Sequence, residues 1–288
     1  MTMNYPVTPR EFTKTEHRIA EYIAANTEAF LFMGIAQLSE TLNISEATVS
    51  RFARHVGCSD FKDLKRLVME QNAIQGPAAK LAGTLLEGEG DFISGWMRRQ
   101  QECLEKTLEG LDREEFRRAV EALAAARRVL IHGKNASGSL ASLLLFRLRR
   151  LGIQVQLIPS GGSEIFEGLS QAGKEDLVVM FSFSKVSAEG RAILEYGKET
   201  GCRTLAFNSR RYAPEEERAD INLYVYRGEE QEYHSAAAPS TVVDALAAAL
   251  SQQLGADVGK RLERLQKLKK RFGAQEWKTA GDSQSGRR

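Results

Sequence analysis

Between residues 128 and 226 the chain carries five short runs of β-branched and other apolar residues, separated by stretches with helical spacing. This alternation constrains the fold most, because strands joined by helices form right-handed crossovers and a mostly parallel sheet. The runs are RVLIHG (128–133), IQVQLI (153–158), DLVVMF (176–181), RTLAF (203–207) and INLYVY (221–226). The sequence therefore predicts a doubly wound α/β domain with helices on both faces of the sheet.

The first 75 residues follow another pattern, in which apolar residues recur at spacings of three and four without strand-like alternation. This spacing predicts an all-α domain. Residues 75–91, which contain one Pro and several Gly, are the best candidate for a linker. Two helices are expected after it, and the second begins at Asp112, which with Glu115 resembles a capping box.

A length of 288 residues, 42% of them hydrophobic, suits one large domain or two unequal ones. We assign residues 1–75 to a helix-turn-helix domain, 76–110 to a linker and connecting helix, and 111–258 to the α/β domain. Residues 259–288 then form a basic C-terminal helix and a tail, whose polar end TAGDSQSGRR is expected to be disordered. The predicted fold class is α/β, with an N-terminal all-α domain beside a doubly wound parallel-sheet domain.

Composition argues against several classes of protein. The three cysteines, Cys58, Cys103 and Cys202, form no CxxC or Cys/His cluster, which disfavours a disulfide framework and a structural zinc site. The N-terminus lacks the apolar core of a signal peptide, and no window approaches the ~18 uninterrupted apolar residues of a membrane span. We therefore expect a cytoplasmic protein with no metal site and no membrane partner.

The net charge is only +2, from 40 basic and 38 acidic side chains, but the charge is unevenly distributed. From Lys260 to the C-terminus, ten basic side chains stand against three acidic ones. Apolar residues at helical spacing in the same segment predict an amphipathic helix that packs on its own subunit or on a partner. Phosphate contacts by its lysines are the second interpretation.

Residues 35–57 have the anatomy of a helix-turn-helix. A first helix is expected at about 35–41, followed by a tight turn at 42–44. A second helix would begin after Ser45, a good N-cap, and end near Gly57.

The second of these helices separates an apolar face, formed by Val49, Phe52 and Val56, from a polar one. Short polar groups and arginines on the polar face suit a recognition helix, since an arginine can donate two hydrogen bonds to a guanine edge or to a phosphate. The candidate DNA contacts are Ser45, Glu46, Thr48, Ser50, Arg51 and Arg54, followed by Ser59, Lys62, Lys65 and Arg66 as candidate phosphate contacts. The alternative is an ordinary helical hairpin whose polar side chains only face solvent.

Two polar loops follow strands of the predicted sheet, at the ends where open parallel sheets bind ligands. The first is HGKNASGS (132–139) and the second is SFSKVS (182–187). A phosphate at such a turn gains backbone N–H donors, the positive end of a helix and hydroxyl donors. For either loop alone, helix capping by Ser137 or Ser187 is the simpler interpretation. Two such loops on adjacent strands favour an anion site.

The segment SEATVSRFARHVGCSDFKDLK (45–65) resembles the N-terminal helix-turn-helix of RpiR-type bacterial transcription regulators. Residues 128–255 resemble the SIS (sugar isomerase) domain of the same family, and the two segments cover most of the chain in the family's order. The resemblance implies a homodimer or homotetramer that binds a double-stranded DNA operator. It also implies a phosphorylated sugar or amino sugar as effector, and control of a sugar-catabolism operon.

Carried onto this chain, the SIS pattern implies ligand contacts in both loops. Its first loop, Gly-x-Gly-x-Ser, falls on residues 133–137, with Asn135 in place of the second Gly; asparagine tolerates the left-handed region better than most residues. Its second loop, Ser-x-Ser-Gly-Glu-Thr, falls on residues 182–187 and keeps all three hydroxyl positions. The implied contacts are Ser137, Ser182, Ser184 and Ser187.

Lys185 and Val186 replace the Gly and Glu of that pattern. If the position requires positive φ, a lysine there costs on the order of 1 kcal/mol and reshapes the loop. Alternatively, the ammonium of Lys185 reaches the phosphate as a point charge, or it is a solvated group in a protein that binds no typical phosphosugar. Val186 removes a carboxylate near the sugar, which weakens the case for proton-transfer chemistry.

The later segment EEQEYHSAAAPSTVVDALAAAL resembles the stretch that closes the family's sugar site, which implies contacts by Glu232, His234 and Ser240. Ser240 equally suits a helix N-cap. His132 and His234 are acid–base candidates, but a lone histidine at a strand end is more often structural. We expect no catalytic residue and no cofactor. Two alternatives stay open: a phosphosugar isomerase with an attached helical domain, and a DNA-binding protein whose SIS domain is a ligand-free dimerisation module.

Overall fold

The computed structural model describes residues 4–7, 11–71, 77–87, 91–230 and 232–272. The chain divides into two compact units. The first comprises Met1–Arg99 and Gly228–Ser235, and the second comprises Gln100–Arg227 and Ala236–Arg288. The segment 228–235 therefore belongs to the first unit although it follows most of the second in sequence.

The first unit is helical, which confirms the all-α character expected of the N-terminal region. Its helices are α1 (Lys14–Ala25), α2 (Thr27–Phe32), α3 (Ile35–Leu42), α4 (Glu46–His55), α5 (Phe61–Gln71), α6 (Pro77–Glu87) and the first part of α7 (Phe92–Gly110). Apolar side chains spaced at three and four residues face inward and form one core, which includes Ile19, Ile23, Phe30, Leu38, Phe52 and Leu64.

Helices α3 and α4 form the predicted helix-turn-helix. The residue after α3, Asn43, has a left-handed φ of 49°, which turns the chain toward α4. The Ser45 hydroxyl accepts the N–H of Thr48 at 3.2 Å and so caps α4, as expected. Gly57, with a φ of 90°, follows the end of α4 in the conformation that favours glycine.

The second unit is built on a five-stranded sheet. The strands are β1 (Arg128–Gly133), β2 (Val155–Leu157), β3 (Asp176–Phe181), β4 (Arg203–Asn208) and β5 (Ile221–Tyr224). Their order is β2-β1-β3-β4-β5, and all neighbours pair in parallel. The chain winds outward from β1 to β2 and then returns to the other side of β1, so the winding direction reverses between β1 and β3. The predicted doubly wound parallel sheet is confirmed.

Helices cover both faces of this sheet. Helices α8 (Arg113–Ala125), α9 (Ser137–Leu151) and α12 (Ala237–Leu254) share one apolar core with side chains such as Val129 and Val179. Helices α10 (Glu164–Leu169) and α11 (Ala188–Thr200) share a second core with Val178 and Met180. Successive residues of a strand point to opposite faces, and all six residues of β3 are buried. Helix α13 (Ala256–Phe272) follows α12 and contacts α9.

Two expectations about the connecting segments are wrong. Residues 77–87 of the expected linker form α6, whereas the two helices expected after the linker are present as α7 and α8. The Asp112 carboxylate caps α8 by accepting the N–H groups of Glu114 and Glu115. The second hydrogen bond of a capping box, from the Asp112 N–H to the Glu115 side chain, is not formed. The carboxylate of Glu115 instead accepts the N–H of Asn222 at 2.6 Å.

The expected boundaries also move. The second unit begins at residue 100 rather than 111, and the expected boundary between 258 and 259 falls inside α13. The predicted disordered end, TAGDSQSGRR, lies outside the described residues.

The three cysteines are buried, and none of them forms a disulfide. Over the ranges that the structure describes, no helix is long and apolar enough to cross a membrane. Within the same ranges, His, Cys, Asp and Glu side chains form no group of three that could hold a metal ion.

Candidate functional site

The two polar loops meet at one cavity in the second unit. Strands β1 and β3 are neighbours, so the loops that follow Gly133 and Phe181 leave adjacent carboxyl ends of the sheet. This is the point where the winding reverses, which is where open α/β sheets bind ligands. The cavity has a volume of about 240 Å³, and its lining includes His132, Lys134, Asn135, Ser137, Ser182, Phe183, Ser184, Lys185, Ser187 and Arg227.

The first loop is shaped by Gly133 and Asn135. A Cβ on Gly133 would lie 2.5 Å from the carbonyl oxygen of Ser137, so glycine is needed for α9 to begin this close to β1. Asn135 adopts a left-handed φ of 53°, which asparagine tolerates. Ser137 does not cap α9, because the N-cap is Ala136. Its half-buried hydroxyl has no hydrogen-bond partner among the described residues.

The second loop holds two more hydroxyl groups that are not used by the protein. The N–H of Ser182 donates to the carbonyl of Phe207 at 2.9 Å, which fixes the loop to the end of β4. Neither the Ser182 hydroxyl nor the Ser184 hydroxyl has a partner in the part of the chain that the structure describes. These two side chains are therefore available to a ligand.

Ser187 differs from these serines because it caps helix α11. Its hydroxyl accepts the N–H of Gly190 at 3.2 Å and donates to the carboxylate of Glu189. The capping interpretation therefore holds for Ser187 and not for Ser137.

The two departures from the SIS pattern have clear structural consequences. Lys185 is exposed and is not among the residues with positive φ, so the strain expected from a lysine at this position is absent. The residue is one of those that line the cavity. Val186 is 4% exposed and packs in the apolar core on the α11 face of the sheet. A side chain at this position points away from the cavity.

An ion pair links the two loops. The Lys134 ammonium donates to Glu189 Oε1 at 2.6 Å, and so joins the loop after β1 to the first turn of α11. The hydrogen bond from Lys134, helped by that from Ser187, lowers the pKa of Glu189 to about 2. A carboxylate with so low a pKa is a weak base, so Glu189 positions the loops and is poorly suited to abstract a proton.

His132 lies at the end of β1 and is 3% exposed. Its Nδ1 is buried without a partner, while the ring hydrogen-bonds the carbonyl of Pro159. Burial is the main influence on this side chain and lowers its pKa, so the ring is neutral near pH 7. In that state Nδ1 carries a lone pair that can accept a hydrogen bond.

Arg227 is the residue of this site that sequence patterns did not reveal. It follows the last predicted strand by a single residue, and this position at the carboxyl edge of the sheet was the available signal. Its guanidinium carbon lies 4.0 Å from the centroid of the Phe183 ring, and its Nε donates to Ser209 Oγ at 3.2 Å. No carboxylate pairs with it among the described residues.

The three residues expected in the later segment lie elsewhere. Glu232 belongs to the first unit, where its carboxylate pairs with Arg99 and accepts the N–H of Glu229 at 2.8 Å. His234 belongs to the same unit, and its Nε2 lies 3.0 Å from the Glu229 carbonyl oxygen. Ser240 lies inside the first turns of α12, where its N–H donates to the Ala236 carbonyl, so it is not an N-cap. None of the three lines the cavity.

The polar face of α4 is a second candidate site. Glu46, Arg51 and Arg54 are exposed, whereas Thr48 and Ser50 are half-buried. Neither arginine pairs with a carboxylate in the part of the chain that the structure describes. Val49, Phe52 and Val56 on the opposite face are fully buried, so the core fixes α4 while the two arginine side chains stay exposed on its polar face.

Hydrogen bonds within the first unit restrain several neighbouring side chains. The hydroxyls of Ser45 and Thr48 lie 2.8 Å apart, and His55 Nδ1 lies 2.7 Å from Glu16 Oε1. The side chain of Lys65 is 8% exposed and its ammonium lies 5.4 Å from the Phe61 ring, so its contact with the phosphate backbone stays a prediction. Lys62 is half-buried, Arg66 is exposed, and the Ser59 hydroxyl donates to Asp63.

Comparison with known families places both candidate sites in matched segments. The model of the helix-turn-helix domain of the rpiR family matches residues 8–75, which contain α4. The model of the SIS domain matches residues 122–249, which contain the cavity. An uncharacterised HTH-type transcriptional regulator from Caldanaerobacter subterraneus is 28% identical over 88% of this chain and 90% of its own length.

Solved structures show the same folds. NanR of Vibrio vulnificus, solved in complex with ManNAc-6P, is 20% identical and matches with a TM-score of 0.56 over 90% of this chain and 93% of its own. The sugar isomerase domain of an RpiR transcription factor from Sphaerobacter thermophilus is 24% identical, with a TM-score of 0.55. It covers 59% of this chain and 96% of its own.

Proposed function

Because the chain belongs to the RpiR family of helix-turn-helix transcriptional regulators that carry a SIS domain, we propose that a phosphorylated sugar or amino sugar binds its cavity and controls its affinity for an operator. One observation carries this proposal. The free hydroxyls of Ser137, Ser182 and Ser184 converge on the same cavity as the unpaired guanidinium of Arg227. Hydroxyl and guanidinium groups are donors that suit a phosphate.

The DNA contacts belong to the face of α4 that carries Arg51 and Arg54. Arginine at such a face donates to guanine O6 and N7 or to phosphates, and the shorter side chains approach base edges. Ser45, Glu46, Thr48 and Ser50 complete the proposed reading surface, and Lys62 is proposed to contact the backbone. The fixed cap and buried inner face of α4 support this role, because a recognition helix must be held rigidly to discriminate between bases.

The ligand contacts are the two loops after β1 and β3. The phosphate is proposed to accept hydrogen bonds from Ser137, Ser182 and Ser184, with Lys185 at the rim. Ser187 contributes by shaping the first turn of α11 rather than through its own hydroxyl, which is already used. The ManNAc-6P complex of NanR supports a phosphorylated sugar as the class of ligand, since the two chains share a fold over most of their length.

A homodimer or homotetramer is proposed as the active form, with two α4 helices reading a near-palindromic operator. Half-sites would be separated by about one helical turn or a multiple of it. Ligand can alter operator affinity only if it binds one arrangement of the oligomer better than another.

The experiment that tests this function begins with an operator selected from a random duplex library. Arg51→Ala and Arg54→Ala should each weaken operator binding about 5- to 150-fold, the equivalent of losing a ~1–3 kcal/mol base contact. Arg98→Ala, which removes an exposed arginine from another helix of the first unit, is the matched control and should bind as the wild type does. A panel of sugar phosphates is then titrated into the complex. Unchanged operator affinity across the panel would argue against a sugar-phosphate effector.

A phosphosugar isomerase is the competing function, and His132 is the observation that favours it. A neutral histidine with a free Nδ1 at the cavity has the protonation state of a general base. Against this, Glu189 is held in an ion pair and Val186 packs in the core, so neither position supplies a second acid–base group beside His132. Conversion of an aldose phosphate to a ketose phosphate by the purified protein, lost in His132→Ala, would decide for the enzyme.

A further inference from the structure

Arg227 is held in place by three loops of the second unit. Its Nε donates to the hydroxyl of Ser209, which itself donates to the Val225 carbonyl at 2.6 Å. The N–H of Ser209 donates to the Phe183 carbonyl at 2.9 Å. Phe183 is 4% exposed, and its ring lies under the guanidinium. The loops after β3, β4 and β5 therefore fix the position of this one cation.

This position is unfavourable for an unpaired cation. Burial is the cause that lowers the pKa of Arg227, to about 10, so the group is still charged at pH 7 but poorly solvated. The aromatic face of Phe183 compensates in part. The two terminal nitrogens of the guanidinium have no protein partner among the described residues. An arginine held this way keeps two terminal nitrogens that can donate hydrogen bonds to an oxyanion.

The charged side chains of the cavity indicate how much negative charge that anion carries. The lining carries three cations, Lys134, Lys185 and Arg227, and Lys134 is already paired with Glu189. Among the residues that the structure describes, no carboxylate pairs with the other two. A phosphate monoester carries about −1.5 to −2 charges at pH 7, which matches this excess better than a neutral sugar or a single carboxylate does.

We infer that Arg227 is the charge-reading residue of the cavity, which binds the oxyanion of the ligand and makes the site reject unphosphorylated sugars. The inference rests on the proposed function in that the same cavity is the ligand site. The role also predicts an effect on stability: an arginine retained for binding lowers the stability of the ligand-free protein. A purely structural arginine would do the opposite, because its removal would cost packing and hydrogen bonds.

The test uses the full-length protein and inorganic phosphate as the probe, with chloride at equal ionic strength as reference. The thermal midpoint and the dissociation constant for phosphate are measured for the wild type, Arg227→Met and Arg227→Lys. Arg203→Met, which removes an exposed arginine at the opposite end of β4, is the matched control.

The wild type and the Arg203→Met variant should be stabilised by phosphate to the same extent. Arg227→Met should have a higher midpoint than the wild type in chloride and bind phosphate about 10- to 100-fold more weakly, as expected for loss of a charged hydrogen bond. Arg227→Lys keeps the charge without the fork and should recover part of the affinity.

Two results would overturn the inference while leaving the proposed ligand site intact. One is a phosphate affinity of Arg227→Met equal to that of the wild type. The other is an Arg227→Met protein that is destabilised in chloride, which would assign Arg227 a packing role. A wild type that shows no stabilisation by phosphate would overturn both the inference and the proposed anion site.

Discussion

Asp176, the first residue of β3, is the most fully buried carboxylate that the structure describes. It lies at the amino-terminal ends of the strands, opposite the cavity. Its side chain is 0% exposed and accepts hydrogen bonds from Arg127 Nη2 at 2.9 Å, Arg128 Nη2 at 3.0 Å and the N–H of Gly173 at 3.0 Å. Burial alone would raise the pKa of Asp176, but these hydrogen bonds outweigh it and hold the pKa below its usual value. Its role is to stabilise the fold.

We predict that Asp176→Asn lowers the free energy of unfolding by about 2 kcal/mol at pH 7, since it removes a buried charge that several donors require. Folding lowers the pKa of Asp176, so the wild type should be the more stable protein above the unfolded-state pKa of about 3.9. This difference in the free energy of unfolding should be lost as the pH falls through the folded-state pKa. Urea denaturation of both proteins at pH 7 and in the acidic range measures the difference. A difference that did not shrink with acidification would contradict this assignment.

Lys65 is the converse case, a largely buried cation that lies near an aromatic ring and has no carboxylate partner among the described residues. Burial lowers its pKa to about 8, so folding must desolvate the ammonium at pH 7. Lys65→Met should therefore raise the stability of the first unit by about 2 kcal/mol at pH 7. The gain should shrink between about pH 8 and 10.5, where the wild-type lysine loses its proton in the folded state first.

Denaturant midpoints of the wild type and Lys65→Met at pH 7 and pH 10 provide that comparison. Glu70→Met, which changes an exposed side chain on the same helix, is the control. Operator binding should change little in Lys65→Met, because most of this side chain is buried.

Residues such as these mark the limit of what sequence reasoning could find. The serines at 137, 182 and 184 could be assigned to one site because two hydroxyl-rich loops follow neighbouring strands and resemble the SIS pattern. Neither the burial of Lys65 nor the lack of a counter-ion for Arg227 could be predicted, because both depend on which side chains tertiary packing brings near. The backbone of Lys185 is a further example, since its φ follows from the loop and not from its own identity.

At the scale of elements, the strands were predictable because parallel strands are buried on both faces and read as apolar runs. The helix-turn-helix was predictable from its caps, Ser45 and Gly57. Helix α6 was not, because the glycines within and around residues 77–87 are typical of a linker. Tertiary contacts with α2 and α5 outweigh that local tendency.

The segment 228–235 is held to the rest of the first unit by named contacts. Glu232 pairs with Arg99, the N–H of Tyr233 donates to Thr84 Oγ1 at 2.9 Å, and the Tyr233 ring lies 6.0 Å from that of Trp96. Glu232→Ala should therefore speed amide hydrogen exchange in this segment without changing phosphate affinity. Glu230→Ala, at an exposed position of the same segment, should change neither. A weaker phosphate affinity in Glu232→Ala would instead support the ligand contact that the SIS resemblance implied.

For the whole molecule, the proposed regulation has a thermodynamic consequence that does not depend on mechanism. If an effector changes operator affinity by some factor, typically about 5- to 150-fold, the operator must change effector affinity by the same factor. Calorimetric titration of an active sugar phosphate into the free protein and into its operator complex measures both. Ser182→Ala should weaken effector binding in both titrations and leave their ratio unchanged, because the hydroxyl contacts the ligand and not the DNA.

The connectivity of the two units limits how such a protein can be divided into fragments or recombined. The chain crosses between the two units after Arg99, after Arg227 and after Ser235. A fragment that begins at residue 100 would carry the 228–235 segment away from Arg99, Thr84 and Trp96, leaving Glu232 and Tyr233 without their partners. Recombination of this DNA-reading half with the effector half of a relative therefore needs three junctions rather than one. Such chimaeras are expected to fold only when residues 228–235 travel with the first unit.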